Sequence, residues 1–168
     1  LKQENMYRLN EVVHHWIYQD YYGRIKRLEK ERIFCRHQMT HFLDVARIAY
    51  IKNLEENLGF EKDVIYTAAV LHDIGKSFQY KWTIPHEVAG EKIAKEILTT
   101  LPEDAQFTEE EQQQILLAIR GHRRKHEGME PIEELFYDSD KRSRMCHSCP
   151  AQKQCNWTEE EKNMEIEI

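Results

Sequence analysis

Apolar residues recur at helical spacing along most of this chain. Residues 4–32 predict a first helix with a break near Gly23. Its apolar stripe consists of Met6, Leu9, Val13, Trp16 and Ile17. A second helical pattern covers residues 36–58 and ends at Gly59. Only 6 Gly and 4 Pro occur among the 168 residues, which favours helices. We therefore expect an all-α fold.

The most informative stretch is AAVLHDIGK, residues 68–76. Asp63 is expected to cap the apolar helix that leads into it. This helix would deliver His72 and Asp73 together to its buried end, where Gly75 lets the chain turn away. An imidazole buried beside a carboxylate is costly unless both are paired or bound to a metal.

Four other ionisable side chains fall on the apolar faces of predicted helices. They are His41 in the helix of residues 36–58, His86 at the start of the helix after Pro85, His122 at the end of the helix opened by the Thr108–Glu111 capping box, and Asp140 in the helix after Pro131. His37, one turn before His41, is an alternative ligand nearer to solvent, and Asp138 competes with Asp140. Taken alone, His41 could also be a buried core histidine without a metal. His86 could be an exposed residue at the start of its helix. Residues 77–85 are predicted to be a loop beside the site.

Together these positions supply four imidazoles and two carboxylates on separate helices. Stability does not explain such a set, because apolar residues would pack there at less cost. A metal site does explain it, and imidazole with carboxylate suits iron, manganese, nickel, cobalt or zinc. Six ligands exceed what one ion in an open catalytic site needs, so we expect two divalent ions.

The ordered motifs HFLDVARIA, LHDIGK and SDK resemble the signature of the HD-domain metal-dependent phosphohydrolases. The resemblance covers residues 35–144 and implies an HD-domain helical bundle. We expect one domain of residues 1–168, with the N-terminal helix at 4–32 and a Cys-rich tail at 145–168.

The resemblance also implies a ligand set. The residues that carry over as ligands of one divalent metal are His41, His72, Asp73 and Asp140. In dinuclear members of the family, by position, Asp73 would bridge to a second ion held by His86 and His122. We expect the dinuclear arrangement.

The implied reaction is hydrolysis of a phosphoester or phosphoanhydride by a metal-activated hydroxide. The expected substrate is small and phosphorylated, a nucleotide or dinucleotide. Asp73 and Lys76 are the expected catalytic residues, with Lys76 stabilising charge on the phosphate or leaving group. An equally good interpretation is that Lys76 is a cation at the end of a helix, where it interacts with the helix dipole. Arg123 and Lys141, in basic clusters beside expected ligands, are candidate phosphate-binding residues.

Two other functions stay open at this stage. One is a sensor that binds a nucleotide or metal with little turnover. The other is an oxygen-activating di-iron enzyme, as in the inositol-oxygenase-like branch of the HD superfamily.

The four cysteines predict a separate metal site. Cys146, Cys149 and Cys155 form a C-x2-C-x5-C cluster, and Cys35 stands ahead of the second predicted helix. Helices that meet at the metal centre would bring Cys35 to the cluster, where the thiolates would hold a structural zinc or an iron–sulfur cluster. His147 is an alternative fourth ligand, and four unlinked reduced thiols are the alternative to any site.

Net charge and hydropathy indicate where the protein is located and which partners it binds. The net charge of -6 argues against a nucleic-acid duplex as partner. No apolar run approaches the roughly 20 residues of a membrane span, and the start lacks a signal-peptide core. We expect a cytoplasmic protein that does not bind membranes, and a homodimer stays open.

Overall fold

A computed structural model describes residues 6–167, so the first two residues of the predicted helix 4–32 lie outside the described residues. The α-helices are α1 (Tyr7–His14), α2 (Trp16–Leu28), α3 (Met39–Glu55), α4 (Lys62–Leu71), α5 (Lys76–Trp82), α6 (His86–Thr99), α7 (Glu109–Gly121) and α8 (Pro131–Arg142). No strand occurs within residues 6–167, which confirms the predicted all-α class. None of these helices has the length and apolar character needed to cross a bilayer.

Helix α4 lies at the centre of the bundle because almost all of its surface is apolar. From Val64 to Leu71 only Tyr66 is partly exposed. Helix α4 packs against α3, α7 and α1, while α8 packs against α3 and α7, and α6 packs against α7. The residues that follow α4 therefore lie in the interior of the bundle.

The N-terminal segment is two helices, so the prediction of one helix broken near Gly23 was wrong. The interruption is at His15, whose backbone is extended and whose ring accepts a hydrogen bond from the Ile17 N–H, 3.2 Å. Gly23 lies inside α2. Because the extended residue shifts the register between the two helices, Trp16 leaves the apolar stripe and is 72% exposed.

The prediction of a loop over residues 77–85 was also wrong, since most of this segment is α5. Helix α5 packs against α2 and α6. Phe78 contacts the rings of Tyr21 and Trp82, with centroid distances of 5.7 and 5.3 Å. A helix of 7 residues is too short to show a clear period in its apolar positions.

Other predicted helix boundaries are confirmed. Pro85 immediately precedes α6. The Thr108–Glu111 capping box opens α7 with both of its reciprocal hydrogen bonds. Pro131 is the first residue of α8, where its missing N–H costs nothing.

Asp63 does not cap α4 as predicted, because Glu61 occupies the N-cap position. Asp63 instead binds Arg8, with 2.6 Å between Oδ2 and Nε. The same guanidinium binds both oxygens of Glu111, at 2.7 and 3.0 Å, and lies 4.1 Å from the centroid of the Phe107 ring. Arg8 therefore joins α1 to the first turns of α4 and α7.

Replacing Glu111 with Gln should lower the free energy of unfolding at pH 7 by about 1–2 kcal/mol. The hydrogen bond from Arg8 lowers the pKa of Glu111. The carboxylate therefore contributes stability above its unfolded pKa of about 4.3, and this is lost as pH falls through the lower folded value. Urea unfolding at several pH values should show that the variant loses less stability in acid than the wild type.

Glu110→Gln is the matched control, because Glu110 is the exposed neighbour of Glu111 on the same helix. Equal unfolding midpoints for Glu111→Gln and the wild type at pH 7 would contradict the assigned role of the Arg8 pair.

Candidate metal centre

The turn after α4 carries two buried ionisable side chains. His72 is the C-cap residue of α4, and Asp73 follows it. Their exposed fractions are 0% and 3%. The apolar helix therefore delivers both side chains to the interior.

Gly75 allows a close approach between backbones. Its φ of -81° is open to any residue, so the predicted need for conformational freedom was wrong. A Cβ at this position would lie 2.2 Å from the His86 carbonyl oxygen and 2.4 Å from the Gly90 nitrogen. Because the turn lacks that atom, α6 packs directly on it and His86 lies beside Asp73.

One group of potential ligands contains four buried residues, whose ligand atoms all lie within 4.8 Å of one another. They are His41, His72, Asp73 and Asp140. His41 Nε2 lies 3.1 Å from Asp140 Oδ1 and 3.6 Å from Asp73 Oδ2. His72 Nε2 lies 3.1 Å from the same Asp73 oxygen. The structure thus brings together side chains from α3, α8 and the turn after α4.

A second group contains Asp73, His86 and His122, which are also buried. Here the other carboxylate oxygen is used, since Asp73 Oδ1 lies 3.2 Å from His86 Nε2 and 3.5 Å from His122 Nε2. The two ring nitrogens are 3.0 Å apart. Asp73 therefore faces one group with each oxygen.

The four imidazoles of these groups share one orientation, with Nε2 towards the centre and Nδ1 bonded elsewhere. Nδ1 lies 2.6 Å from the Ala69 carbonyl in His72, 2.6 Å from the Ile119 carbonyl in His122, 2.5 Å from Gln79 Oε1 in His86 and 3.2 Å from Ser143 Oγ in His41. A proton on Nδ1 that donates to these oxygens leaves the Nε2 lone pair free. This is how proteins orient imidazoles for metal binding.

Three buried polar atoms at the first group have no hydrogen-bond partner within residues 6–167. They are His41 Nε2, His72 Nε2 and Asp140 Oδ1. Buried polar atoms are normally paired, so three orphans at one point need an explanation. A divalent ion bound there would use all three, and the residues therefore fit a metal.

The protonation of the site also fits a metal. Burial lowers the pKa of His86 to about 4, which leaves this ring neutral near pH 7. Burial also disfavours charge on His72, but Asp73 and Asp140 outweigh it and raise the His72 pKa to about 10. Burial would raise the pKa of both aspartates, yet the surrounding histidines hold these values well below the usual range. The two aspartates thus favour positive charge at this point, and a bound metal ion would supply it in place of a proton.

His37 lies closer to this centre than expected. It precedes α3 but is only 5% exposed, so its predicted position nearer to solvent was wrong. Its Nε2 lies 3.8 Å from Asp73 Oδ2, while its Nδ1 and backbone N–H both bind Glu29. Tyr80 donates to Glu29 at 2.7 Å. Our sequence reasoning missed Glu29, although its position four residues after the buried Ile25 places it on an inward face.

A cavity of about 330 Å³ opens over both groups. Five cationic side chains line it, namely Arg32, Lys76, Arg123, Lys141 and Arg144. The three predicted phosphate-binding residues are among them. Arg32 was missed because the charged segment that contains it has no periodic apolar pattern.

The cations differ in how they are already paired. Arg123 binds Glu87 at 3.1 Å, and Lys141 Nζ lies 3.7 Å from Asp140 Oδ2. Lys76 forms no ion pair with any residue in the described range 6–167. Burial lowers the pKa of its ammonium group. Asp138, the competitor of Asp140, points elsewhere and lies 3.7 Å from Lys52.

The four cysteines line a second cavity, of about 350 Å³, beside the first. All four thiols are free, and Cys35 and Cys155 line both cavities. Burial raises the pKa of the Cys35 thiol; Arg144 opposes this, and the other three thiols add to the rise. His147, the alternative fourth ligand, is exposed and does not line this cavity.

Comparison with known proteins gives a family match. The model of the family described as HD domain matches residues 39–161, which is more than half of the chain. A protein of Clostridium beijerinckii described as "Uncharacterized protein" is 48% identical over 161 residues, which cover 96% of this chain and 99% of that protein. No solved structure matches this chain significantly.

Replacing His86 with Gln should remove about one metal ion per chain, because an open site depends on each of its few protein ligands. The ion held by the first group should stay. Elemental analysis of protein purified without oxygen or chelator measures the difference from the wild type. His126→Gln is the control, since His126 is half-exposed and bonds Glu133 outside both groups. Unchanged metal content in His86→Gln would show that His86 holds no ion.

Proposed function

The chain belongs to the HD-domain family of metal-dependent phosphohydrolases, and from this premise we propose that it hydrolyses a phosphoester or phosphoanhydride of a small substrate, a nucleotide or dinucleotide. The observation that carries the proposal is the carboxylate of Asp73, shared by two ligand groups beneath a cavity lined by five cations. The side chains that can bind metal ions and the cationic side chains that can bind phosphate therefore lie at the same cavity.

The two groups would hold two divalent transition metals. Asp73 would bridge them, with His41, His72 and Asp140 on one ion and His86 and His122 on the other. Bound metals would supply a water of lowered pKa for attack on phosphorus and would neutralise phosphoryl oxygens. Imidazole with carboxylate suits iron, manganese, nickel, cobalt or zinc.

Lys76 is the best placed of the cations to contact the substrate phosphate. It follows the turn that carries Asp73 and lines the cavity. Because it is not paired within the described residues, it can bind an anion without first breaking an ion pair. We propose that Lys76 stabilises negative charge on the phosphate or the leaving group, with Arg123 and Lys141 adding to the positive potential.

Aromatic side chains support a nucleotide substrate. Phe34 and Trp157 line the same cavity as the cations. A flat aromatic ring offers a stacking surface for a base, while the cations meet the phosphates. One cavity thus provides for both parts of a nucleotide.

The same lining weighs against the two alternatives. A di-iron oxygenase acting on a neutral alcohol has no need of five cations around its metals. A sensor with little turnover has no need of the six metal ligands together with Lys76. A cytoplasmic location and a homodimer stay predictions from the sequence.

Asp73→Asn should abolish phosphate release, with a loss of about 10³-fold or more in kcat, because it weakens both ligand groups at once. Phosphate release is measured on nucleoside mono-, di- and triphosphates. Cleavage of dinucleoside polyphosphates yields two nucleotides and no free phosphate, so it is followed by separating the nucleotide products. Asp138→Asn is the matched control, since this aspartate lies on α8 and faces Lys52 outside the site. Circular dichroism verifies that each variant is folded. Oxygen uptake with an alcohol, and no phosphate release by the wild type, would instead establish the oxygenase.

Lys76→Ala should lower kcat/KM for the best substrate by about 10–100-fold, because water does not replace the charge of a half-buried cation at a phosphate. Its metal content should equal that of the wild type, which separates loss of phosphate contact from loss of the metals. Lys81→Ala is the control, as Lys81 is exposed on the same helix. Equal kcat/KM for Lys76→Ala and Lys81→Ala would show that Lys76 does not contact the substrate and is only a cation at the end of a helix.

A further inference from the structure

We infer that Cys35, Cys146, Cys149 and Cys155 bind a 4Fe–4S cluster in the cavity that they line. The inference is independent of the proposed function, because it uses none of the histidine and aspartate ligands. Cysteine thiolates are the usual ligands of such clusters, four for each cluster.

The fold brings the four thiols together from two distant parts of the chain. Cys35 precedes α3 and the other three follow α8, and these two helices pack against each other. Arg144 links the two segments, since its guanidinium donates to the Arg36 carbonyl at 3.3 Å. The C-x2-C segment is a 3₁₀ turn, in which the Cys149 N–H donates to the Cys146 carbonyl at 3.1 Å.

The spacing of the thiols favours a cluster over a single zinc ion. Sulfurs bound to one tetrahedral zinc lie about 2.3 Å from the metal, and therefore about 3.8 Å from one another. No three of the thiols, all of which lie within the described residues, come within 4.8 Å of one another, whereas the histidine and aspartate groups do. A cluster separates its thiolates further, because each one binds a different iron atom.

The volume and the charges of the cavity agree with this ligand. The space of about 350 Å³ is far larger than one ion needs. Arg144 and Lys162 line it and would offset the net negative charge of a cluster held by four thiolates, against a single lining carboxylate, Asp44. Cys146 is only 7% exposed, so solvent reaches this thiol poorly.

The test uses the whole chain, purified without oxygen and with a thiol reductant. We expect about four acid-labile sulfides per chain and a broad visible absorption band that dithionite bleaches. Labile sulfide is decisive because neither zinc nor iron at the histidine and aspartate ligands contains it. Cys149→Ser should lose both signals, while Ser148→Ala, its neighbour in the same cavity, should retain them.

The wild-type sulfide content decides the matter even if Cys149→Ser does not fold. One zinc per chain at the cysteines without sulfide, or no metal there at all, would overturn the inference. Asp73→Asn should keep the sulfide and the band. In the wild type, labile sulfide and the band without turnover of any substrate would contradict only the proposed function, whereas turnover without labile sulfide would contradict only the cluster.

Discussion

The buried carboxylate of Asp73 is the constraint on which the centre of this bundle depends. A charge at 3% exposure is expensive unless partners compensate it on every side. Here both oxygens face imidazoles, His41 and His72 on one side and His86 and His122 on the other. These partners come from different helices, so the carboxylate is stabilised only when the whole bundle is assembled.

The helix ends supply the outer contacts of this arrangement. His72 and His122 are the C-cap residues of α4 and α7, and each ring bonds the carbonyl three residues before it. Carbonyls in the last turn of a helix lack intrahelical partners. The two rings therefore satisfy orphan acceptors and, with the same bond, fix their own orientation towards Asp73.

Much of this could be predicted from the sequence, because helical periodicity and helix signals are local. The all-α class, the capping box at Thr108 and the inward face of Asp140 all follow from such patterns. Contacts that depend on tertiary packing could not be predicted in this way. The burial of His37 against Glu29 is one case, and the backbone approach at Gly75 is another. The metal roles of the six ligands stay predictions until an ion is measured.

The two cavities are not separate features of the surface. Cys35, Arg144, Cys155 and Trp157 line both of them, so the cysteine-rich tail is one wall of the cavity over the metal ligands. Asn163 holds this tail against α8 by bonding the carbonyls of Lys141 and Arg144. Whatever fixes the cysteines therefore also fixes the aromatic wall at Trp157. A tail that depends on a bound cluster would make the shape of the substrate cavity depend on that cluster as well.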